Sequence, residues 1–228
     1  GADGWYTGDI SVSWSVTDPE NPVTSTNGCD PVTVAADTTG VTFTCSATST
    51  GGTASASVTV KRDATAPVLA PSVSPNPVIL GGTVTATAGA SDATSGIATS
   101  SCDPVPTTTI AMVNTTCRAT DRAGNTSTTT TPVQVAAFLG GFVSPLPRTT
   151  LVRSGSTIPV KFTLGQQGGP LTGQAALDLI AGNQLRATLT GPGLSSPVLS
   201  VLCSYDNTAG VFVCPIKTPK NLGTGLSN

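Results

Sequence analysis

Hydrophobic and polar residues alternate along most of this chain with a period of two. In "DISVSWSV", Ile10, Val12, Trp14 and Val16 fall on one face and Ser11, Ser13 and Ser15 on the other. The pattern recurs in "ASASVTV" (Ala54, Ala56, Val58, Val60), "TVTATA" (Val84, Ala86, Ala88) and "IPVKFTL" (Ile158, Val160, Phe162, Leu164). Strands with one buried face produce this alternation. The runs are short and separated by Gly, Pro, Asn and Asp, which predicts a sandwich or barrel. No segment reads as a helix of useful length. "VLCSYDNTAGVFVC" predicts a hairpin around Asp206 to Gly210. Cys203 then faces Cys214, Tyr205 faces Phe212 and Val201 faces Ile216, all on one side of the sheet.

The pattern also repeats on a longer scale. "CDPVTVAADTTGVTFTC", from Cys29 to Cys45, returns as "CDPVPTTTIAMVNTTC", from Cys102 to Cys117. Upstream, "VSWSVTDPENPVTSTNGC" aligns with "VTATAGASDATSGIATSSC"; downstream, "CSATSTGGTASASVTV" aligns with "CRATDRAGNTSTTTTPVQV". Each unit reads as strand, Asp-bearing loop, cysteine, strand, turn, strand with cysteine, turn and final strand. The first joint is "KRDATAP", Lys61 to Pro67, and a second lies around Val135 to Phe142. Three all-β domains follow, at 1–65, 66–136 and 137–228, each within the usual size range.

Composition narrows the class. Hydrophobic residues make up 38 % of the chain, charged residues 10 % and aromatics 4 %, with a net charge of −2. That is enough apolar content for a core and too little charge for disorder. The near-neutral balance supplies no attraction for nucleic acid or an anionic membrane. Six cysteines in evenly distributed pairs point to an oxidising compartment. There is no run of 18 or more apolar residues, so no helical membrane span is expected. No leader is visible at Gly1, so any export signal is expected to have been removed or to lie outside this chain.

"GWYTGDISVSWSV", "CSATSTGGTASASVTV", "CRATDRAGNTSTTTT" and the linker "DATAP" resemble the tandem immunoglobulin-like, HYR-like domains of bacterial surface and secreted proteins. The final third resembles the PxKF domain through Pro159-Val160-Lys161-Phe162, the lead-in "FLGGFVSP" and "SYDNTAGVFVCPIKTPKNLGTG". The resemblance implies three tandem immunoglobulin-like sandwiches in an elongated arrangement, with no catalytic residues. It also implies that the first domain lacks its first strand and the last its closing strands. Either those strands belong to other parts of the same polypeptide, or a neighbouring copy supplies them by strand complementation.

Candidate chemistry is sparse. With no histidine there is no Ser-His-Asp, Cys-His or His-based zinc arrangement. Glu20 is the single glutamate, and most aspartates sit in turn contexts, where Asp bonds local amides. The cysteine pairs lack CxxC spacing and read as disulfides, Cys29–Cys45, Cys102–Cys117 and Cys203–Cys214, each stabilising by roughly 3 kcal/mol. Asp63 in the first joint, with Asp18, Glu20 or Asp121, is a candidate set of calcium ligands; turn and capping roles account for the same carboxylates. Lys161 reads as a solvent-facing strand residue, with an isopeptide bond to an Asn as the alternative. Trp5 and Tyr6 are candidates for stacking on a sugar. Asn114 and Asn125 stand in glycosylation sequons.

The expected role is a non-enzymatic structural module outside a bacterial cell. It would be a stalk or filament building block, and in the filament version it polymerises head-to-tail by strand complementation. The alternatives are an adhesin or carbohydrate-binding module with cell-surface or glycan partners, or an accessory region of a secreted enzyme.

Overall fold

The structure is a computed structural model and describes residues 2–144, 155–183, 185–188 and 200–218. Strands make up most of the described chain, with one short helix. The backbone groups into two compact units built from interleaved segments. The first comprises Gly1–Val73, Thr85–Pro104 and Asn114–Pro132, and the second comprises Ser74–Val84, Val105–Val113 and Val133–Asn228.

In the first unit, β1 (Trp5–Tyr6), β2 (Ile10–Val12), β3 (Val23–Asn27), β4 (Val32–Val34), β5 (Thr38–Ser49) and β6 (Gly52–Arg62) form two layers. One sheet has the order β1-β6-β5-β3, and the other is the pair β2-β4. Ile10, Val12, Val34 and Val60 are buried between them, with Trp14, Val41 and Phe43 packed against this core. β5 and β6 form a long hairpin over the two-residue turn Thr50-Gly51, with Ser49 opposite Gly52. Its polar face carries hydroxyl pairs straight across the ladder: Thr42 with Thr59 at 2.7 Å, Thr44 with Ser57 at 2.8 Å and Thr48 with Thr53 at 2.9 Å. The alternation in "DISVSWSV" keeps its phase, but β2 ends at Val12 because β4 offers only three partners, Val32 to Val34. Ala54 and Ala56 on β6 are exposed although they share the phase of buried Val60.

Past the first joint come β7 (Val68–Leu69), β8 (Ser72–Ser74), β9 (Val78–Ile79), β10 (Thr85–Thr87), β11 (Ala90–Ser91), β12 (Ile97–Cys102), β13 (Met112–Asp121) and β14 (Thr126–Ala136). β7 pairs with β11 and β8 with β10, and the larger sheet has the order β12-β13-β14-β9. Cys102 lies directly opposite Cys117 across β12 and β13. In the second unit, Val78 on β9 pairs in parallel with Val135, and Val78, Leu80, Val133 and Val135 are buried there.

The rest of the second unit contains β15 (Phe138–Val143), β16 (Thr157–Gln166), β17 (Gly169–Pro170), α1 (Gly173–Ala181), β18 (Arg186–Thr188), β19 (Ser200–Leu202), β20 (Ser204–Asp206) and β21 (Val211–Lys217). The sheet order is β15-β16-β21-β20, with β17 on β16 and β18-β19 as a separate ribbon. One register row carries Phe142, Phe162, Phe212 and Tyr205 across all four strands, with ring centroids 6.3, 5.7 and 5.0 Å apart. Tyr205 faces Phe212 as the hairpin predicts. Val201 instead pairs with Ala187, because the chain leaves the β21 ladder at Cys203 to form the β18-β19 ribbon. Lys161, half-buried, pairs between Val143 and Val213. Helix α1 departs from the expectation that no useful helix exists. It is one short piece whose buried Ala176 and Leu179 are three residues apart on one face.

Candidate functional site: a carboxylate corner at the first joint

The joint Lys61 to Pro67 is fixed to residues on both sides of it. Trp5 and Tyr6 pair in parallel with Lys61 and Arg62, and the Lys61 ammonium lies 5.5 Å from the Trp5 ring centroid. Arg62 donates to the Gly8 carbonyl at 3.2 Å, to Asp9 at 2.9 Å and to Asp37 at 2.7 Å. The Asp63 amide donates to the Tyr6 carbonyl at 2.8 Å. Asp37 also accepts the Ala64 amide at 2.9 Å and the Thr65 hydroxyl. The Thr65 hydroxyl and then the Ala64 amide hold the Asp37 carboxyl below its ordinary value; the Arg62 charge adds to this, and desolvation opposes it.

On the other side, the Asp63 carboxylate accepts the Thr65 amide and the Ser95 amide, each at 3.0 Å. The Asn125 side chain donates to the carbonyls of Asp63 at 2.9 Å and Thr65 at 3.2 Å and to the Asp121 carboxylate at 2.8 Å. The Ser127 hydroxyl donates to the Pro67 carbonyl. Asp121 also takes the amides of Gly124 at 2.7 Å and Asn125 at 2.8 Å. Asp92 takes those of Thr94, Ser95 and Gly96, at 3.2, 2.9 and 2.8 Å.

These contacts bring three carboxylates together. One oxygen each from Asp63, Asp92 and Asp121 lies within 4.8 Å of the others. Asp63 and Asp121 are fully buried, and Asp92 is half-buried. Two oxygens on opposite sides of a calcium ion at about 2.4 Å are about 4.8 Å apart, so the span fits a hard-cation shell. Among the described residues no lysine or arginine pairs with these three aspartates; the ion pairs are Arg62 with Asp9 and Asp37, and Arg118 with Asp103. Buried carboxylates without a cationic neighbour are costly unless amides or a metal balance them. Here amides already balance part of the charge.

Of the candidate ligands, Asp63 and Asp121 belong to this cluster, whereas Asp18 and Glu20 lie elsewhere. Asp18 caps its own turn, taking the amides of Glu20 and Asn21 at 3.0 Å each. The Ser49 hydroxyl, then those two amides, hold the Asp18 carboxyl below the usual aspartate pKa, and desolvation opposes them. Asp92 completes the cluster and was missed, although it is the repeat counterpart of Asp18 and sits in the second Asp-bearing loop. Asp37 was also missed, because "Asp-Thr-Thr-Gly" reads as an ordinary turn.

Trp5 and Tyr6 do not share a platform. As neighbours on one strand they point to opposite faces, Trp5 buried beneath Lys61 and Tyr6 about half exposed. Asn114 is exposed, while the Asn125 amide is spent on the joint. The disulfides join Cys29 to Cys45, Cys102 to Cys117 and Cys203 to Cys214. Three disulfides are the mark of an oxidising, extracellular setting. Among the described residues no helix is long and apolar enough to cross a membrane. Neither the family models nor the curated proteins yield a match to this chain.

Proposed function

We propose that the chain is a non-catalytic structural module of an extracellular bacterial protein. Its tandem immunoglobulin-like sandwiches act as a stiff spacer or building block. The observation that carries this reading is the joint itself. Seven residues between two repeats use their backbone and side chains to bond Tyr6, Gly8, Asp9 and Asp37 on one side and Ser95, Asn125 and Ser127 on the other. A flexible tether has no use for a buried aspartate; a rigid one needs such a group to fix an angle. Disulfides supply stability that small cores with few aromatics lack. In this reading a calcium ion at Asp63, Asp92 and Asp121 stiffens the joint further.

Trypsin tests the stiffness directly, because Lys61 and Arg62 lie at the joint. The native oxidised protein is expected to resist cleavage there at protease levels that cut it readily after unfolding. Neither Cys29–Cys45 nor Cys102–Cys117 spans the joint, so cleavage releases separate fragments even on a non-reducing gel. Rapid appearance of those fragments from native protein would overturn the spacer reading.

A further inference from the structure

The second repeat shows what its strand edge holds, and the first repeat has the same edge. In the second repeat, the chain leaving the joint runs antiparallel along the strand that leads to Asp92. Leu69 pairs with Ala90 and Val68 with Ser91, the Ala70 amide donates to the Gly89 carbonyl at 3.3 Å, and the hydroxyls of Ser72 and Thr87 meet at 2.7 Å. This segment is led by Asp63, whose carboxylate takes the Ser95 amide at 3.0 Å. That amide also donates to Asp92 at 2.9 Å, so one N–H serves both carboxylates.

The first repeat reproduces the receiving parts. Asn21, three residues after Asp18, donates its amide to Asp18 at 3.0 Å, as Ser95 does to Asp92. Cys29–Cys45 stands where Cys102–Cys117 stands. β1 runs parallel to the end of β6 as β9 runs parallel to the end of β14. Residues Ser13 to Thr17 correspond to Thr87 to Ser91, yet they belong to no ladder among the described residues. Beside them opens a groove of about 650 Å³ lined by Trp14, Val16, Asp18, Cys45, Ala47 and Ala56. The small side chains on β5 and β6 leave the floor of the groove open, and half-buried Trp14 forms one wall.

We propose that this groove receives an extended strand with the chemistry of Asp63–Ser74: a leading carboxylate, a proline-containing bend, then apolar residues at alternate positions, as Leu69, Pro71 and Val73 are. The carboxylate takes the Asn21 amide, the strand lies antiparallel along Ser13 to Thr17, and alternate side chains fill the groove against Trp14. Backbone pairing supplies affinity and the alternate pockets supply register, the logic of strand addition to an open edge. The inference rests on reading the chain as a module built to join others, and it names the strand that its open edge takes; a failure here leaves the trypsin result unaffected.

A synthetic peptide with the sequence of Arg62–Pro75, titrated into the whole protein, tests it through Trp14 emission and calorimetry. We expect a saturable blue shift. An Asp63→Ala change in the peptide should weaken it about tenfold, the scale of one charge-assisted hydrogen bond. A scrambled peptide should give no shift. Ala56→Phe in the protein should fill the groove and abolish binding; Ala56 is exposed, so an unchanged unfolding midpoint confirms that this variant folds. No response at millimolar peptide, or a response that survives Ala56→Phe, overturns the proposal. So does concentration-dependent self-association that buries Trp14 without peptide, because the Asp63–Ser74 segment of a folded copy is already paired in its own second repeat and a different surface would then be the occupant.

Discussion

At the scale of single residues, the joint depends on two aspartates that do different work. Asp37 is an acceptor for Arg62, Ala64 and Thr65, and those donors hold its carboxyl below the ordinary range. Such a group adds stability at every pH above its unfolded value, near 3.9, and loses it as pH falls through the lower folded value. Thermal midpoints should therefore hold from neutral pH down to about 4 and then drop. Asp37→Asn should start lower and lose less in acid; an identical acid slope would show that Asp37 is not responsible. Asp63, with Asp92 and Asp121, makes the second prediction. Calcium added to chelator-treated protein should raise the unfolding midpoint, by about 2.7 kcal/mol of stability at one hundred times the dissociation constant. Asp92→Asn should abolish the rise, whereas a midpoint indifferent to calcium would leave the corner purely hydrogen-bonded. Asp63 and Asp121 were legible in the sequence because a linker aspartate and a turn aspartate invite the question of a cation. Asp92 and Asp37 were not. A turn-forming aspartate looks the same whether its carboxylate serves its own loop or reaches a residue dozens of positions away.

At the scale of elements, alternation predicted the long strands well and their pairing less well. β6 and β16 lie where period two places them, since each has a long antiparallel partner to satisfy its backbone. β2 stops early for want of a partner, a fact that side-chain phase cannot encode. Helix α1 escaped because nine residues containing Gly173, two apolar anchors and no side-chain cap fall below the signal that periodicity needs. One element-level constraint that bears on a staple is at the end of β3. Gly28 has φ +70°, and a Cβ there would meet the Thr44 carbonyl oxygen. This glycine turns the chain so that Cys29 meets Cys45. Gly28→Ala combines a left-handed backbone cost with a collision against the backbone, and should destabilise by more than about 2 kcal/mol. Gly8→Ala, where a Cβ meets nothing within 4 Å, should stay within about 0.5 kcal/mol. Urea midpoints of the two variants measure the difference; equal values would mean that Gly28 is only a convenient residue.

At the scale of the whole molecule, the repeat that frames the cysteine pairs made the staples legible, but the division into two interleaved units was not. Strands β13 and β14 each contribute to both units, and no local pattern marks the residue where a strand changes allegiance. The placement of the aromatics makes the units separately observable. Both tryptophans, Trp5 and Trp14, belong to the first unit, whereas the Phe142-Phe162-Phe212-Tyr205 row belongs to the second. Cys29–Cys45 and Cys102–Cys117 also lie in the first unit, and Cys203–Cys214 in the second. Each closes a loop of similar length, so each should contribute about 3 kcal/mol, mainly by limiting the unfolded chain. Units that unfold separately each report only the staple they contain. Replacing Cys203 and Cys214 by alanine should therefore leave the tryptophan-monitored midpoint where it was and lower the midpoint seen by far-ultraviolet circular dichroism. Replacing Cys102 and Cys117 should move the tryptophan signal. If both double variants shift both probes together, the shared strands make the molecule one cooperative block and the two units are a geometric division only. Separate shifts would mean that each unit carries its own stability, as a chain of repeated modules requires.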